Sequence, residues 1–166
     1  MSAALFGIVL IGATFLVALV AGFLFAFAVV AMPGLKRLDD AGFIRAFQAI
    51  DGIIQNNHPL FMLVWVGSVI LLMISVAAGF GQLGTVHRTV LIVITVIYIA
   101  GVHIPTALIN IPRNNAIQKV DVDTANKHDL NEARRFFEDA WNRSNQFRTI
   151  MAAIAALALV VMPHRL

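Results

Sequence analysis

The side chains best suited to chemistry are concentrated in one segment, His103 to Asn115 (HIPTALINIPRNN). It contains one His, three Asn, one Arg and two Pro within 13 residues, where an uncharged apolar stretch gives way to a polar one. Polar and ionisable side chains are costly in apolar surroundings, so their presence there points to a function. The sequence therefore predicts a site at the end of this apolar stretch.

A second polar segment, Trp141 to Thr149 (WNRSNQFRT), leads into the last apolar run. If four helices cross antiparallel, the ends of the first and third lie beside the starts of the second and fourth. The polar residues that then share one level are His58, Asn110, Asn114, Asn145 and Arg148. His103 precedes Asn110 by seven residues, which puts it about 10 Å deeper on the same face of a regular α-helix.

Each of these residues also has a purely structural interpretation. Asn and His side chains often join membrane helices by hydrogen bonds, and Arg148 could snorkel to the lipid phosphates. For any one of them taken singly, this interpretation is slightly favoured. Convergence of six polar residues on one end of the helices favours a site.

The composition defines the class of protein. Hydrophobic residues make up 60% of the 166 residues and charged residues only 13%, whereas soluble domains have about half apolar and a quarter charged residues. We predict an all-α integral membrane protein, a four-helix bundle forming a single domain over residues 1–166. The predicted spans are about 3–31, 59–80, 89–111 and 146–163, with short amphipathic interfacial helices in the first and third loops.

Local signals set these boundaries. Met32-Pro33-Gly34 is expected to end the first span, because Pro disfavours a helical residue before it. Ala18, Gly22 and Ala26 repeat every four residues and predict close helix packing, with a ligand approach at Gly22 as the less favoured alternative.

The fourth apolar run has only 14 residues, Thr149 to Met162, against the roughly 20 needed to cross a membrane. Its helix must therefore include upstream residues. This places Asn145 and Arg148 at or inside the hydrocarbon boundary, and we expect Arg148 to be held by Asn110 or Asn114.

Basic residues predict the orientation. The loops after the first and third spans hold ten of the twelve Lys and Arg residues, and the opposite side has only Arg88 and Arg165. By the positive-inside rule, both termini of this cell-membrane protein face away from the cytoplasm, and the site opens toward it. Because the charges are confined to a few loops, orientation explains them better than nucleic-acid binding does.

A metal site is not supported by the sequence. His58 and His103 are the only histidines near the membrane on this side, and no predicted span contains Asp or Glu to complete a ligand set. A haem needs only one axial His, so a haem or metal at His103 stays open. The absence of Cys excludes disulfides and thiolate sites, and the absence of carboxylates in the spans weakens a proton-coupled transporter.

Several motifs carry a resemblance to a known family. They are Asn110-x-Pro112-x-Asn114, Trp141, Asn145-x-x-Arg148-Thr149, Gly22, Met32-Pro33-Gly34-Leu35 and Phe47-Gln48-Ala49-Ile50. Together they cover nearly the whole chain, which resembles the anthrone oxygenase family. Two positions depart from the family pattern: Arg113 stands where an apolar residue is expected, and Ser144 where a second Trp is common.

The resemblance implies a small four-helix membrane protein whose fungal relatives oxidise anthrones to anthraquinones. Deprotonating the acidic methylene of an anthrone gives an anion that reacts with dioxygen, so the reaction needs a base, donors for an oxyanion and an apolar cavity. His103 is the expected base, since imidazole titrates near neutrality and no carboxylate is expected nearby. The groups expected to stabilise the negative charge are Asn110, Asn114, Asn145 and Arg148.

The expected substrate-binding residues are His58, Trp141, Phe47 and Gly22. The scheme requires no cofactor, and its partners are membrane lipid, an apolar aromatic molecule and dioxygen; a homo-oligomer stays open. The alternative is a non-catalytic protein that binds lipid or a partner and whose Asn and Arg residues are architectural. An enzyme should have an enclosed, partly apolar cavity touching His103, whereas an architectural cluster should have no space between its members.

Overall fold

The computed structural model describes residues 1–162, which form five helices. In chain order they are α1 (Ala3–Leu35), α2 (Asp40–Gln55), α3 (Pro59–Gln82), α4 (Thr85–Gln118) and α5 (Lys127–Val161). All but α2 have the length and composition to cross a membrane, and no strand occurs in residues 1–162. The predicted fold class, an all-α membrane protein with four spans, is confirmed. The predicted end of the fourth span at residue 163, and Arg165, lie outside the described residues.

Three helices begin at side-chain caps. Ser2, Asp39 and Asn126 each accept a hydrogen bond from the backbone N–H three residues later, at 3.3, 2.8 and 3.0 Å. Such caps satisfy one of the free N–H groups in a first helical turn. They fix the starts of α1, α2 and α5, while α3 begins with Pro59, a residue well suited to a first helical position.

Helices α1 and α4 continue through three prolines, of which Pro33 was expected to end the first span. A π-helical turn ends two residues before each proline: Phe27–Ala31 before Pro33, Ile99–His103 before Pro105 and Thr106–Asn110 before Pro112. Proline has no N–H and its ring clashes with the carbonyl four residues back, whereas a π turn shifts the hydrogen bonds to the carbonyl five residues back. The predicted ends at residues 31 and 111 were therefore too early.

Helix α5 is one continuous helix of 35 residues. The amphipathic segment predicted in the third loop forms its N-terminal part and is not a separate helix. The amphipathic helix predicted in the first loop is present as α2. Because α5 has no break, its polar residues Asn145 and Arg148 are carried into the helical core, where both are buried. The prediction that the short fourth apolar run borrows upstream residues is confirmed.

Two hydrophobic clusters hold the helices together. The first, here called the span core, contains residues of all four long helices, such as Leu24, Leu72, Tyr98 and Ala155. The second, here called the aromatic cluster, joins the ends of α1, α4 and α5 to α2. Its members are Phe27, Met32, Leu35, Phe43, Ile44, Phe47, Ile117, Leu130, Phe137 and Trp141.

Helix α2 is fixed to α4 by reciprocal hydrogen bonds. Gln48 Nε2 donates to the carbonyls of Ile117 and Val120 at 2.9 Å each, and Gln118 Nε2 donates back to the carbonyl of Gln48 at 3.0 Å. These bonds satisfy polar groups at the helix ends that would otherwise be left without partners. They hold α2 across the end of the long helices.

Glycine positions show where α1 and α3 approach closely. Added Cβ atoms at Gly12 and Gly67 would each lie 3.1 Å from a leucine of the facing helix. The predicted packing stripe of Ala18, Gly22 and Ala26 is instead exposed, and a Cβ at Gly22 would meet nothing within 4 Å. The predicted packing role within the chain is wrong, because larger side chains define the buried face of α1 and the stripe lies on another face.

Candidate functional site

A cavity of about 220 Å³ lies where the span core meets the aromatic cluster. All five helices contribute to its wall. The lining residues are Phe23, Leu24, Phe27, Phe47, Ile50, Asp51, Ile54, Phe61, Met62, Trp65, Thr106, Asn110, Ile111, Asn114, Trp141, Asn145 and Arg148. An apolar cavity with a few convergent polar groups is typical of small-molecule sites, and its volume suits a ligand smaller than those of the usual pockets of roughly 300–1,000 Å³.

Aromatic rings form much of the apolar wall. Trp141 contacts both Phe27 and Phe47, with ring centroids 5.7 Å apart in each pair. On α3, the rings of Phe61 and Trp65 stack with centroids 5.6 Å apart. Aromatic faces and edges favour contact with other flat rings, so these walls suit a planar aromatic ligand.

Asp51 brings a buried carboxylate to the cavity from α2, and the residue is only 2% exposed. Asn114 Nδ2 donates to Oδ1 at 2.7 Å. Gln55 and Gln118 donate to Oδ2 at 2.7 and 3.0 Å. All three donors are neutral amides, and no cation within residues 1–162 pairs with this carboxylate.

Arg148 brings a buried cation to the same cavity from within α5, and the residue is 4% exposed. Nη1 donates to Thr106 Oγ1 at 2.8 Å and Nη2 to Asn145 Oδ1 at 2.9 Å, while the guanidinium lies over the Trp141 ring at 5.6 Å from its centroid. The buried Nε has no hydrogen-bond partner, and no carboxylate of the described chain lies within ion-pair distance. Within the described residues, Arg148 is thus an uncompensated cation whose Nε–H is unused.

Three polar side chains of α4 line the cavity between these two charges: Thr106, Asn110 and Asn114. Asn110 Oδ1 accepts a hydrogen bond from Ser144 Oγ at 2.6 Å, and Asn114 Oδ1 accepts one from Trp141 Nε1 at 2.8 Å. Because Thr106 bonds to the guanidinium and Asn114 to the carboxylate, the polar wall is continuous from one charge to the other.

The polar wall does not extend into the span core. Ser75 and Thr95 are buried there, and each donates to the carbonyl four residues back in its own helix at 2.8 Å. Among the described residues, the buried charged side chains are those of Asp51 and Arg148. The chemistry of the buried interior is therefore concentrated in one cavity at one end of the helices.

Six of the nine residues predicted for the site line this cavity. They are Asn110, Asn114, Asn145, Arg148, Trp141 and Phe47. Three do not line it: His58 is exposed at the start of α3, Gly22 is exposed on α1, and His103 lies beside Trp65 outside the lining. The predicted grouping of the Asn residues with Arg148 and the aromatic residues is therefore present in the structure.

His103 occupies a different position from the one predicted. Its ring lies between those of Trp65 and Tyr98, at centroid distances of 5.1 and 5.0 Å, and its buried Nε2 has no hydrogen-bond partner. The prediction that His103 shares a face with Asn110 assumed 3.6 residues per turn. The π turns at Ile99–His103 and Thr106–Asn110 widen the helix and change that relation.

The partners of Arg148 also differ from those predicted. It is buried in the bundle as expected, but its donors reach Thr106 and Asn145 and not Asn110 or Asn114. Asn110 is engaged by Ser144, and Asn114 lies at the level of Asp51. The physical reason is depth, because Thr106 lies two helical turns before Asn114 on α4 and is the residue that faces Arg148.

Asp51 is the main site residue that the sequence interpretation missed. It belongs to the amphipathic helix predicted in the first loop, outside the predicted spans, which contain no carboxylate. Its spacing held the signal, because Asp51 follows Phe47 by four residues and precedes Ile54 by three, which places it within the apolar stripe of α2. The packing of that stripe over the cavity then buries it.

Metal-binding side chains do not cluster around His103. Within residues 1–162 there is no group of three or more His, Cys, Asp or Glu side chains placed to hold a metal ion. The polar groups at the cavity are mainly amides, one hydroxyl, one carboxylate and one guanidinium. Amide and guanidinium donors are suited to organic oxygen atoms and anions.

Comparison with known proteins gave one match. A family model described as anthrone oxygenase matches residues 58–158, which is more than half of the chain. Neither the curated proteins nor the solved structures contain a match. The matched range includes Asn110, Asn114, Asn145 and Arg148, whereas Asp51 lies before its first residue.

Proposed function

Since the chain belongs to the anthrone oxygenase family, we propose that its cavity binds an anthrone-like aromatic ketone and oxidises it with dioxygen. The observation that carries this proposal is the presence of two buried opposite charges, Asp51 and Arg148, that line one aromatic cavity without pairing with each other. Buried ions are usually paired or neutralised. Their separation leaves each one available to a ligand placed between them.

The proposed reaction begins with proton transfer from the methylene group of the substrate to the carboxylate of Asp51. The electron pair of the broken C–H bond moves into the ring system, and the ketone oxygen becomes an oxyanion. Three amide donors hold the carboxylate in place, which fixes its orientation toward the cavity. A positioned base of this kind contributes about 10²–10⁴-fold to a rate.

Arg148 is the proposed partner of the oxyanion. Its charge lies at a cavity lined mainly by apolar side chains, and no carboxylate of residues 1–162 pairs with it. Donors that are already oriented in an apolar site stabilise developing negative charge strongly, with roughly 10²–10³-fold in rate for one donor. The ring of Trp141, beneath the guanidinium, forms part of the apolar wall against which a flat substrate would pack.

Dioxygen completes the reaction with electrons from the substrate alone. The substrate anion transfers an electron to dioxygen, and a C–O bond then forms at the former methylene carbon, giving a peroxide that takes up a proton. Loss of the remaining proton on that carbon breaks the O–O bond and forms the second ketone. One oxygen atom enters the product and the other leaves as water, so four electrons of the substrate balance the reduction of O₂.

The space between the polar side chains supports ligand binding over a purely architectural cluster. In a purely architectural cluster, the Asn and Arg side chains would bond to each other and leave no cavity between them. Here Arg148 and Asn145 are joined, but Asn110 and Asn114 bond elsewhere and all four line open volume. The cavity does not include His103, so the expected contact with that residue is absent. The open volume among the four polar residues supports an enzyme or a receptor for an apolar aromatic molecule over a structural anchor.

The test is oxygen consumption by the purified protein in lipid nanodiscs with anthrone as substrate. We expect one O₂ consumed per anthraquinone formed and, with ¹⁸O₂, one labelled oxygen atom in the product. Because anthrones also react slowly with air, the matched control is Asp139→Asn, which removes an exposed carboxylate of α5. Wild type and this control should be equally fast, and a wild-type rate no greater than that of empty nanodiscs would refute the proposed activity.

We propose further that the cavity lies at the cytoplasmic end of the helices, with both termini outside. The support is the distribution of basic residues: nine lie in the loops after the first and third spans and Arg148 lies at the adjoining start of the fourth span, against two on the other side. Single cysteines at Ser2 and Gly84 should react with a membrane-impermeant thiol reagent on intact cells, and one at Asn126 should not. The reverse labelling would place the cavity at the outer end.

A further inference from the structure

A second concave surface lies on the outside of the protein, along the seam between α4 and α5. It is an open groove of about 420 Å³, with Pro105 and Ile109 on one side and Phe147 on the other. Arg113 on α4 and Arg143 on α5 also line the groove. We refer to it as the seam groove. The seam groove is separate from the cavity described above, and the two share no lining residue.

The two arginines of the seam groove have no acidic partner. Other arginines of the described chain do: Arg45 pairs with Asp123, and Arg134 pairs with both Asp40 and Glu138. Neither Arg113 nor Arg143 takes part in an ion pair within residues 1–162. Two guanidinium groups that share one groove without a counter-ion favour an anion as ligand.

Arg113 is also held in position at the groove. Its Nη1 donates to the carbonyl of Ile109 at 3.3 Å, and its guanidinium lies over the ring of Phe136 at 5.4 Å from the centroid. Its Nε is buried and has no hydrogen-bond partner. These contacts fix the guanidinium of Arg113 at the groove, so that its charge is available there without further ordering of the side chain.

Apart from Ser144, the rest of the seam groove is apolar. Phe147 is half exposed, and the same two helices carry further exposed apolar side chains at Leu108 and Ile150. A soluble anion would occupy the guanidinium groups and leave this apolar floor uncovered. A ligand that carries an anionic head and a hydrocarbon chain covers both parts.

We propose that the seam groove is a binding site for one anionic phospholipid. The phosphodiester lies between Arg113 and Arg143, and an acyl chain lies along Ile109 and Phe147. Basic pockets between membrane helices near the cytoplasmic surface are suited to such head groups. The proposal rests on the groove alone and stands whether or not the cavity oxidises anthrones.

The experiment measures lipid binding to the purified full-length protein in detergent by native mass spectrometry, with phosphatidylglycerol and phosphatidylcholine of identical chains. We expect one phosphatidylglycerol to bind at least about 10-fold more tightly than phosphatidylcholine, because each basic residue at such a surface contributes several-fold in affinity. The double variant Arg113→Gln/Arg143→Gln should lose this preference. The matched control, Arg37→Gln/Arg135→Gln, removes two exposed arginines outside the groove and should keep it.

Three outcomes would overturn the proposal. An equal loss of the phosphatidylglycerol preference in the Arg37→Gln/Arg135→Gln control would mean that net charge alone attracts the lipid. Full competition by free glycerol phosphate would identify a soluble anion as the ligand. An unchanged preference in the groove variant, with an unchanged melting temperature, would place the lipid elsewhere.

Discussion

Asp51 and Arg148 reach one cavity from parts of the chain that differ in almost every respect. Asp51 belongs to a short amphipathic helix in a charged loop, whereas Arg148 precedes the last apolar run by one residue. Both are nearly inaccessible to solvent. Arg148 is conspicuous in the sequence because it adjoins the last apolar run, and Asp51 is inconspicuous because it belongs to an amphipathic helix outside the predicted spans.

The two charges also differ in how completely the protein satisfies them. The carboxylate of Asp51 accepts three hydrogen bonds from amides, while the guanidinium of Arg148 makes two to neutral acceptors and leaves Nε free. An uncompensated buried cation lowers stability. The difference indicates that Asp51 is held in a fixed position and that Arg148 is the group left ready for an anionic partner.

The largest expected effect follows from neutralising Asp51. Asp51→Asn keeps the shape of the side chain, and the neighbouring Gln55 and Gln118 amides can rotate to match its new donor. The variant should stay folded and lose turnover by about 10²–10⁴-fold, the contribution of a positioned base. Oxygen uptake with anthrone is the measurement, and a folded variant that keeps full activity would remove Asp51 from the mechanism.

Arg148 sharpens the comparison, because its replacement should lower activity strongly and change stability little. Arg148→Met should lower turnover by roughly 10²–10³-fold, as expected for the loss of an oxyanion partner. Its unfolding free energy should rise or fall by no more than about 1 kcal/mol, since an uncompensated ion is removed and the two abandoned groups are neutral acceptors. Thermal unfolding in detergent tests this, and a loss of about 3–5 kcal/mol would show that Arg148 is part of a hidden ion pair.

His103 should give the smallest effect of the three. The sequence interpretation made it the principal base, and its replacement would then slow turnover by roughly 100-fold or more. Its position outside the cavity lining, between Trp65 and Tyr98, predicts a change of only a few-fold in His103→Gln, through small shifts of Trp65. A large loss with unchanged folding would return the base role to His103 and leave Asp51 as a structural acceptor.

The sequence by itself determined the four spans and the end of the bundle that carries the polar chemistry. In a membrane, the backbone N–H and C=O groups of a long uncharged run find all their hydrogen-bond partners within a helix. The number and approximate position of the spans therefore follow from composition. The Asn and Arg residues near Asn110 and Asn145 stand out for the same reason. A polar group inside an apolar run is costly wherever the neighbouring helices lie.

The tertiary structure alone decided which groups face one another. The burial of Asp51 depends on α2 folding back over the helix ends, and the local sequence of α2 reads equally well as a surface helix. The displacement of His103 depends on π turns that let α4 continue through Pro105 and Pro112. The first outcome arises from contacts between segments far apart in the chain. The second arises from a change in helical phase at the π turns, which residue spacing on an ideal helix does not contain.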